Sequence, residues 1–352
     1  MSEISTQSIR PQPLIIASAA NERYGIALGV VMCSALLCAD DREVKFYVID
    51  DGIQELTREM ISVRVRSLAK ALCLDVQLKF IDFSSHVLPP LTPLHGTLTA
   101  YARIFLPSLL TEDSVFYVDA DIICNRRFSL FEETIEKQPK ALLIGCQDPK
   151  LKILKNDCPW AKEIDVGDHE LPYVNTGFLY MNLKNLRLFG LEGKFYDLAK
   201  DGKQMRFADQ TALNFLCRGQ IALAEPEFNI LWSLGQGFDK ESICNIHFVG
   251  SVKPWDPALK RDRLPQVLLF HSTAHSFGFE STKFTNWDET RIHFVFRSRT
   301  LLRMLFYKIA SSGKFKKWQL RYKKWMIMKS YTKAYKNSLI ERTKVLRQID
   351  FC

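Results

Sequence analysis

Two carboxylates one residue apart, Asp119 and Asp121, follow a run of four apolar residues, Val115 to Val118. An apolar run this short reads as a buried strand. The carboxylates then lie at or just past its carboxyl end, the edge where open α/β sheets place their ligands. With only Ala120 between them, they can share a hard divalent cation such as Mg²⁺ or Mn²⁺, which favours oxygen donors and bridges to substrate phosphates. Asp-x-Asp also occurs in ordinary surface turns, so the rest of the chain must decide. Neither a Gly-x-Gly-x-x-Gly nor a Walker A loop is present, so a cation would have to do the work of holding phosphates.

The elements that would position this pair follow a strand–helix rhythm. Leu14–Ser18 reads as a first strand, residues 19–24 as a turn, and Gly25–Ala39 as a buried apolar helix. That helix is too short to span a bilayer and has no basic segment directly before it, so it is no signal peptide. Val44–Asp50 and Val76–Asp82 read as strands around a helix at about 54–73. The alternation predicts a doubly wound α/β domain with an N-terminal nucleotide-binding half. A Pro/Ser/Thr-rich loop (84–98), a helix near Thr99–Phe105 and the Asp119/Asp121 strand come next. Further strands are expected at Ala141–Cys146 and Tyr173–Leu183, separated by an irregular stretch, 149–172. A helix opens over Phe207–Leu216, and a short strand, glycine turn and Lys-Pro-Trp stop occupy Asn245–Trp255. There is no repeat of fixed period.

Charge divides the chain unevenly. The 352 residues carry a formal +9. Residues 297–347 hold sixteen Lys or Arg against one Glu, which leaves −6 on the remainder. A mildly acidic body with a strongly basic tail points to a polyanionic surface as partner. Nine scattered cysteines show no zinc spacing and read as reduced thiols.

Five motifs occur in order: Tyr101-Ala-Arg103, Asp119-Ala-Asp121, Asn175-Thr-Gly177, Asp209-Gln210, and His247-Phe-Val-Gly250-Ser-Val-Lys253-Pro-Trp255. Over residues 12–257 the chain resembles the bacterial lipopolysaccharide galactosyl- and glucosyltransferases of glycosyltransferase family 8. These are retaining enzymes more distantly related to glycogenin. The resemblance implies the GT-A nucleotide-sugar fold, a Rossmann-like mixed central sheet flanked by helices. It implies Mn²⁺ (with Mg²⁺ possible) on Asp119, Asp121 and His247, and a UDP-sugar donor. His271, after Val267-Leu-Leu-Phe270, stands as a rival to His247. Donor contacts would come from Asn21, Tyr24, Arg103, Ala120, Gly250 and Lys253. Gln210, Asp209 and Asn175 would lie at the transferred sugar, and Asp148 would touch the acceptor. An amide is a poor nucleophile, so front-side displacement with retention competes with a covalent double displacement. The chain departs from the family at its first turn, Asn21-Glu-Arg-Tyr24, where Arg23 replaces an asparagine among the uridine contacts.

In the tail, Trp318, Tyr322, Trp325 and Met328 fall at helical spacing among lysines 314, 316, 317, 323, 324 and 329. An aromatic stripe flanked by lysines suits an interfacial helix on anionic lipid. The expected organisation is a catalytic domain, 12–275, and a basic helical membrane-associating region, 276–352. The activity expected is transfer of galactose or glucose from UDP to a lipid-linked oligosaccharide, on the inner face of the cytoplasmic membrane, with no nucleic-acid partner. The competing readings are a glycogenin-like enzyme and a non-catalytic, basic-tailed binding protein.

Overall fold

The computed structural model describes residues 12–86, 88–89, 91, 93–94, 96–158, 170–202, 205–231, 242–256 and 264–279. The basic tail and its aromatic stripe lie outside these residues.

The first strand, β1 (Leu14–Ala20), runs two residues further than its apolar core suggests. A single 3-10 turn, Glu22–Tyr24, then leads into α1 (Gly25–Leu36). Nearly every residue of α1 is buried, because it is covered on several sides, packing against α2 (Glu55–Ala71) and α8 (Leu264–Ser276). Its polar residue Ser34 stays satisfied, donating to the Val31 carbonyl and accepting from the Cys124 amide. The predicted extension of α1 to Ala39 does not form; the chain turns instead, with Asp40 and Asp41 both at φ +57°. On α2, Ile61, Val65, Leu68 and Ala69 are buried at helical spacing, an amphipathic stripe laid on the core. Between the two helices runs β2 (Val44–Asp50), and β3 (Val76–Asp82) follows α2.

The predicted helix at Thr99–Phe105 is a 3-10 helix, continued by the short α3 (Leu106–Leu109). Next come β4 (Val115–Val118), β5 (Ile122–Cys124), α4 (Ser129–Lys137) and β6 (Leu143–Gln147). The chain continues through β7 (Val174–Met181), α5 (Leu183–Phe189), α6 (Leu191–Lys200) and α7 (Asp209–Leu216). Gly190, left-handed at φ +70°, ends α5 as a C-terminal cap and turns the chain into α6. Three short strands, β8 (Ile221–Ala224), β9 (Ile230–Leu231) and β10 (Asn245–His247), precede α8 at the end of the described residues.

The main sheet has the order β3-β2-β1-β4-β7-β6-β8. Its first four strands are parallel, and β7 runs antiparallel to both β4 and β6. One core holds α1, much of the α2 face, Phe131 and the α8 residues Leu269, Phe270 and Ala274; a second holds Tyr101–Leu106 and the buried residues of α5 to α7. The arrangement is helix–sheet–helix, as the alternating pattern requires. A second sheet, β5-β10-β9, pairs β10 antiparallel with β5 and parallel with β9. The core reaches Phe279, whose ring packs so closely on Gly29 of α1 that a Cβ there would meet it at 2.3 Å. Among the described residues no helix is long and apolar enough to cross a membrane.

Candidate active site

Parallel strands present their carboxyl ends on one edge of the sheet. Here the ends of β1, β4 and β6 share that edge with the amino end of the reversed strand β7. The edge opens into a cavity of about 1070 Å³. Asn21, Tyr24, Arg103, Asp119, Ala120, Asp121, Asp148, Asn175, Asp209, Gln210, His247, Gly250 and Lys253 all line it. The chain brings these positions together from the tips of separate elements. Asn21 follows β1, Asp119 to Asp121 join β4 to β5, and Asp148 follows β6. Asn175 opens β7, Asp209 and Gln210 open α7, and His247 ends β10.

The Asp119 amide donates to the Gly177 carbonyl at 2.7 Å, joining the end of β4 to the start of β7. On the other side, His247 pairs with Ile122 in the β10–β5 ladder, and the Phe248 amide donates to the Asp121 carbonyl at 2.9 Å. The backbone thus places an imidazole beside both carboxylates. His247 Nε2 lies 3.2 Å from Asp121 Oδ1 and 3.8 Å from Asp119 Oδ2. One donor atom from each of the three residues lies within 4.8 Å of the others. Gly177 makes room for the ring, since a Cβ there would meet His247 Cε1 at 2.2 Å. Two carboxylates and an imidazole in this space fit a divalent cation of the Mn²⁺ type. His271 does not join them: it lies on α8 and hydrogen-bonds the Pro254 backbone. Of the two histidines it is His247 that stands beside the carboxylates, since its strand, unlike α8, runs beside the Asp121 turn.

The two aspartates are held by different cations. Lys253 Nζ bonds Asp121 Oδ2 and donates to the Phe248 carbonyl at 3.0 Å. Burial works to raise the Asp121 carboxyl, but the Lys253 ammonium outweighs it and holds the group well below the usual carboxylate range. Asp119 is shifted the other way, because burial prevails over the pull of Arg103 and the Asp121 charge adds to the rise. Arg103 reaches Asp119 at 2.7 Å and Asp209 at 3.0 Å, donates to the Thr176 carbonyl, and lies 4.3 Å over the Tyr117 ring. It is buried, and its guanidinium is directed at protein partners. Burial pushes the Asp209 carboxyl up to about 6, against the opposing pull of Arg103.

Gln210 Oε1 accepts from Asn175 Nδ2 at 3.1 Å and from the Thr176 amide at 3.2 Å, while its Nε2 faces Asp148 Oδ2 at 3.5 Å. Asp148 is fixed by the Lys150 and Leu151 amides on its other oxygen. Before Asp209, Ala208 sits at φ +50°, ψ −120°, so the predicted helix start at Phe207 moves to Asp209.

In the divergent first turn each residue has a job. Glu22 accepts from the Gln54 amide and the Thr57 hydroxyl at the start of α2. Arg23 pairs with Asp256 at 2.8 Å and donates to the Ser251 carbonyl, tying this turn to the glycine turn at Gly250. Tyr24 sets its ring edge-on to Trp255, with centroids 5.4 Å apart. The Asn21 side-chain oxygen is buried with no hydrogen-bond partner among the described residues, at the cavity wall.

Sequence reasoning missed Asp256, which also accepts from the Lys253 amide at 2.7 Å, and Asn229, buried beneath His247. The one signal for Asn229 is an amide flanked by the apolar Phe228 and Ile230. Asp256 carries no such mark.

The model for glycosyl transferase family 8 matches residues 15–258. A lipopolysaccharide 1,2-glucosyltransferase of Escherichia coli (strain K12) is 25% identical over 261 residues, 69% of this chain and 72% of that protein. General stress protein A of Bacillus subtilis (strain 168) is 25% identical over 269 residues, 70% and 88% of the two chains. Among solved structures, the galactosyltransferase LgtC in complex with donor and acceptor sugar analogues superposes with a TM-score of 0.59. It is 22% identical, and the match covers 78% of this chain and 98% of that one. At that identity the likeness is one of fold. With the ordered motifs gathered on one sheet edge, these matches show that the chain belongs to glycosyltransferase family 8 and is a glycosyltransferase built on the GT-A fold.

Proposed function

We propose that the protein is a retaining, Mn²⁺-dependent hexosyltransferase that moves galactose or glucose from UDP to a sugar hydroxyl of a lipopolysaccharide core. The carrying observation is the convergence of Asp119, Asp121 and His247 with Lys253 and Gln210 in one cavity. The acceptor class is taken from the lipopolysaccharide glucosyltransferases among the relatives.

Asp119, Asp121 and His247 would hold the cation, which when bound neutralises charge on the diphosphate. Lys253 would add a second positive charge to the same phosphates as they leave. Gly250, at φ +105°, brings bare backbone to that place. Asn21 and Tyr24 would meet the uracil, the first with its side-chain acceptor and the second with its ring; both line the cavity. Arg103 would act on the donor through the two carboxylates it braces rather than by contact. Asp209, Asn175 and Gln210 would bound the sugar, and Asp148 the acceptor.

The engaged oxygen of Gln210 favours the front-side route. Its Oε1 already accepts two hydrogen bonds, one from a backbone amide, and an amide oxygen so placed is a poor nucleophile. The acceptor oxygen would then bond the anomeric carbon on the face the phosphate leaves. The acceptor's proton would pass to the departing phosphate oxygen.

The test is UDP release from a panel of UDP-sugars with a core-oligosaccharide acceptor, in Mn²⁺ and in EDTA. Release from UDP-galactose or UDP-glucose, lost in EDTA and reduced at least about 10³-fold by Asp121→Asn, is expected. Full activity in EDTA, or an undiminished rate in the variant, would overturn the metal reading. We place the basic residues 297–347 on the anionic inner face of the cytoplasmic membrane, where their charge would hold a body that has no membrane-spanning helix among its described residues and whose core extends to Phe279.

A further inference from the structure

Asn229 stands at the end of a short 3-10 turn, Pro226–Asn229, and leads into β9. That strand pairs in parallel with β10, with His247 opposite Leu231. The register sets the Asn229 side chain below the imidazole, with Oδ1 at 3.1 Å from His247 Nδ1. The turn itself is pinned by Asn245, whose Nδ2 donates to the Phe228 carbonyl at 2.7 Å.

Which end of each amide points where follows from groups that can only donate. The Gly177 amide lies 3.1 Å from Asn175 Oδ1, and the Thr176 amide 3.2 Å from Gln210 Oε1. Backbone N–H groups donate, so both side-chain atoms are oxygens. Asn175 Nδ2 therefore faces Gln210 Oε1, at 3.1 Å. Asn175 Oδ1 takes a second bond from Asn229, at 2.8 Å, which must come from Asn229 Nδ2. That leaves Asn229 Oδ1 toward the imidazole. An oxygen there accepts, so Nδ1 carries the proton and the neutral ring turns the bare lone pair of Nε2 toward Asp121 and Asp119.

We propose that Asn229 is a positioning residue that fixes His247 in its Nδ1–H form, so that the free Nε2 lone pair faces the two carboxylates as a ready ligand. This rests on the cation-site reading above. Unfilled, the arrangement sets a lone pair against two anionic oxygens, which repel it; a cation placed among them turns the repulsion into ligation. Flipping Asn229 offers no escape, because its oxygen would then oppose Asn175 Oδ1, which the Gly177 amide holds in place.

The test uses ¹⁵N-histidine NMR of the metal-free, full-length protein as the pH is raised until the ring is neutral, together with Mn²⁺ binding by electron paramagnetic resonance. The neutral His247 ring is expected to keep its proton on Nδ1. In Asn229→Leu the proton is expected to move to Nε2, where the carboxylates accept it, and Mn²⁺ affinity to fall about 10–100-fold. A wild-type ring protonated on Nε2 overturns the inference. So does an Asn229→Leu protein that binds Mn²⁺ as the wild type does. If that variant does not fold, the wild-type spectrum alone decides. A wild type that takes up no Mn²⁺ would instead overturn the cation reading, a separate result from the position of the ring proton.

Discussion

Asp209 is a buried carboxyl whose ionisation the fold resists. Its carboxyl is pushed up to about 6 from 3.8 by burial, though Arg103 lies 3.0 Å away. Between those values the folded protein keeps a proton that the unfolded chain has lost. The stability this contributes is fully present below about pH 4 and disappears as pH rises through about 6. The metal-free wild type should therefore lose about 2 kcal/mol more stability than Asp209→Asn between about pH 4.5 and pH 7. Urea midpoints at the two pH values would show it, and parallel changes would refute it. Positions that line the cavity were legible in the sequence where an apolar run or a turn glycine marked them, as with Asp119, Asp121, Gly250 and Lys253. Asn229 and Asp256 were not, because each matters through partners distant in the chain: Asn175, 54 residues from Asn229, and Arg23, 233 residues from Asp256.

At the scale of elements, the strands buried in the sheet were read most closely. Val44–Asp50 and Val115–Val118 have the bounds the apolar pattern predicts, since a strand's ends are set by where burial stops, and the edge strand Val76–Asp82, with no fully buried residue, also has its predicted bounds. Helix ends were less legible, because caps and turns decide them. The start of α7 depends on Ala208, a non-glycine residue at φ +50°, ψ −120°. Such a conformation costs on the order of 1–3 kcal/mol and persists only where its surroundings impose it. Here it swings Asp209 and Gln210 to face the opening of β7. Glycine at 208 adopts this backbone without strain but leaves more unfolded-state entropy and loses a buried methyl group, and these terms largely offset the strain relieved. Ala208→Gly should stay within about 1 kcal/mol of wild type, and Ala208→Val should lose more than about 2 kcal/mol. Thermal melts of the two variants would check this, and equal losses would show that the backbone there is not strained.

For the whole molecule, the separation of charge is the organising fact: +15 over residues 297–347 against −6 elsewhere. Full-length protein should sediment with vesicles rich in anionic lipid, and a chain ending at Phe296 should not. The binding should weaken as salt rises, because each Lys or Arg near such a surface contributes about 1 kcal/mol that ions screen. Equal sedimentation of the shortened chain would remove the membrane role from the tail. The doubly wound organisation was legible because helices and strands alternate. The reversal of β7 was not, since nothing in an apolar run states its direction.

The ion pair between Lys253 and Asp121 joins positions 132 residues apart in the chain, and it has a thermodynamic consequence. Each partner is the one the other's ligand must displace. A divalent cation that takes Asp121 frees the ammonium, and a diphosphate that takes the ammonium frees Asp121. Each ligand thereby removes the cost that the other would meet on entering alone. Mn²⁺ should raise the affinity for UDP, and UDP must raise the affinity for Mn²⁺ by the same factor, because coupling between two sites is reciprocal. Calorimetric titration of each ligand in the presence and absence of the other would measure that factor. Lys253→Met should lower it, by leaving Asp121 without the counter-ion whose release links the two events.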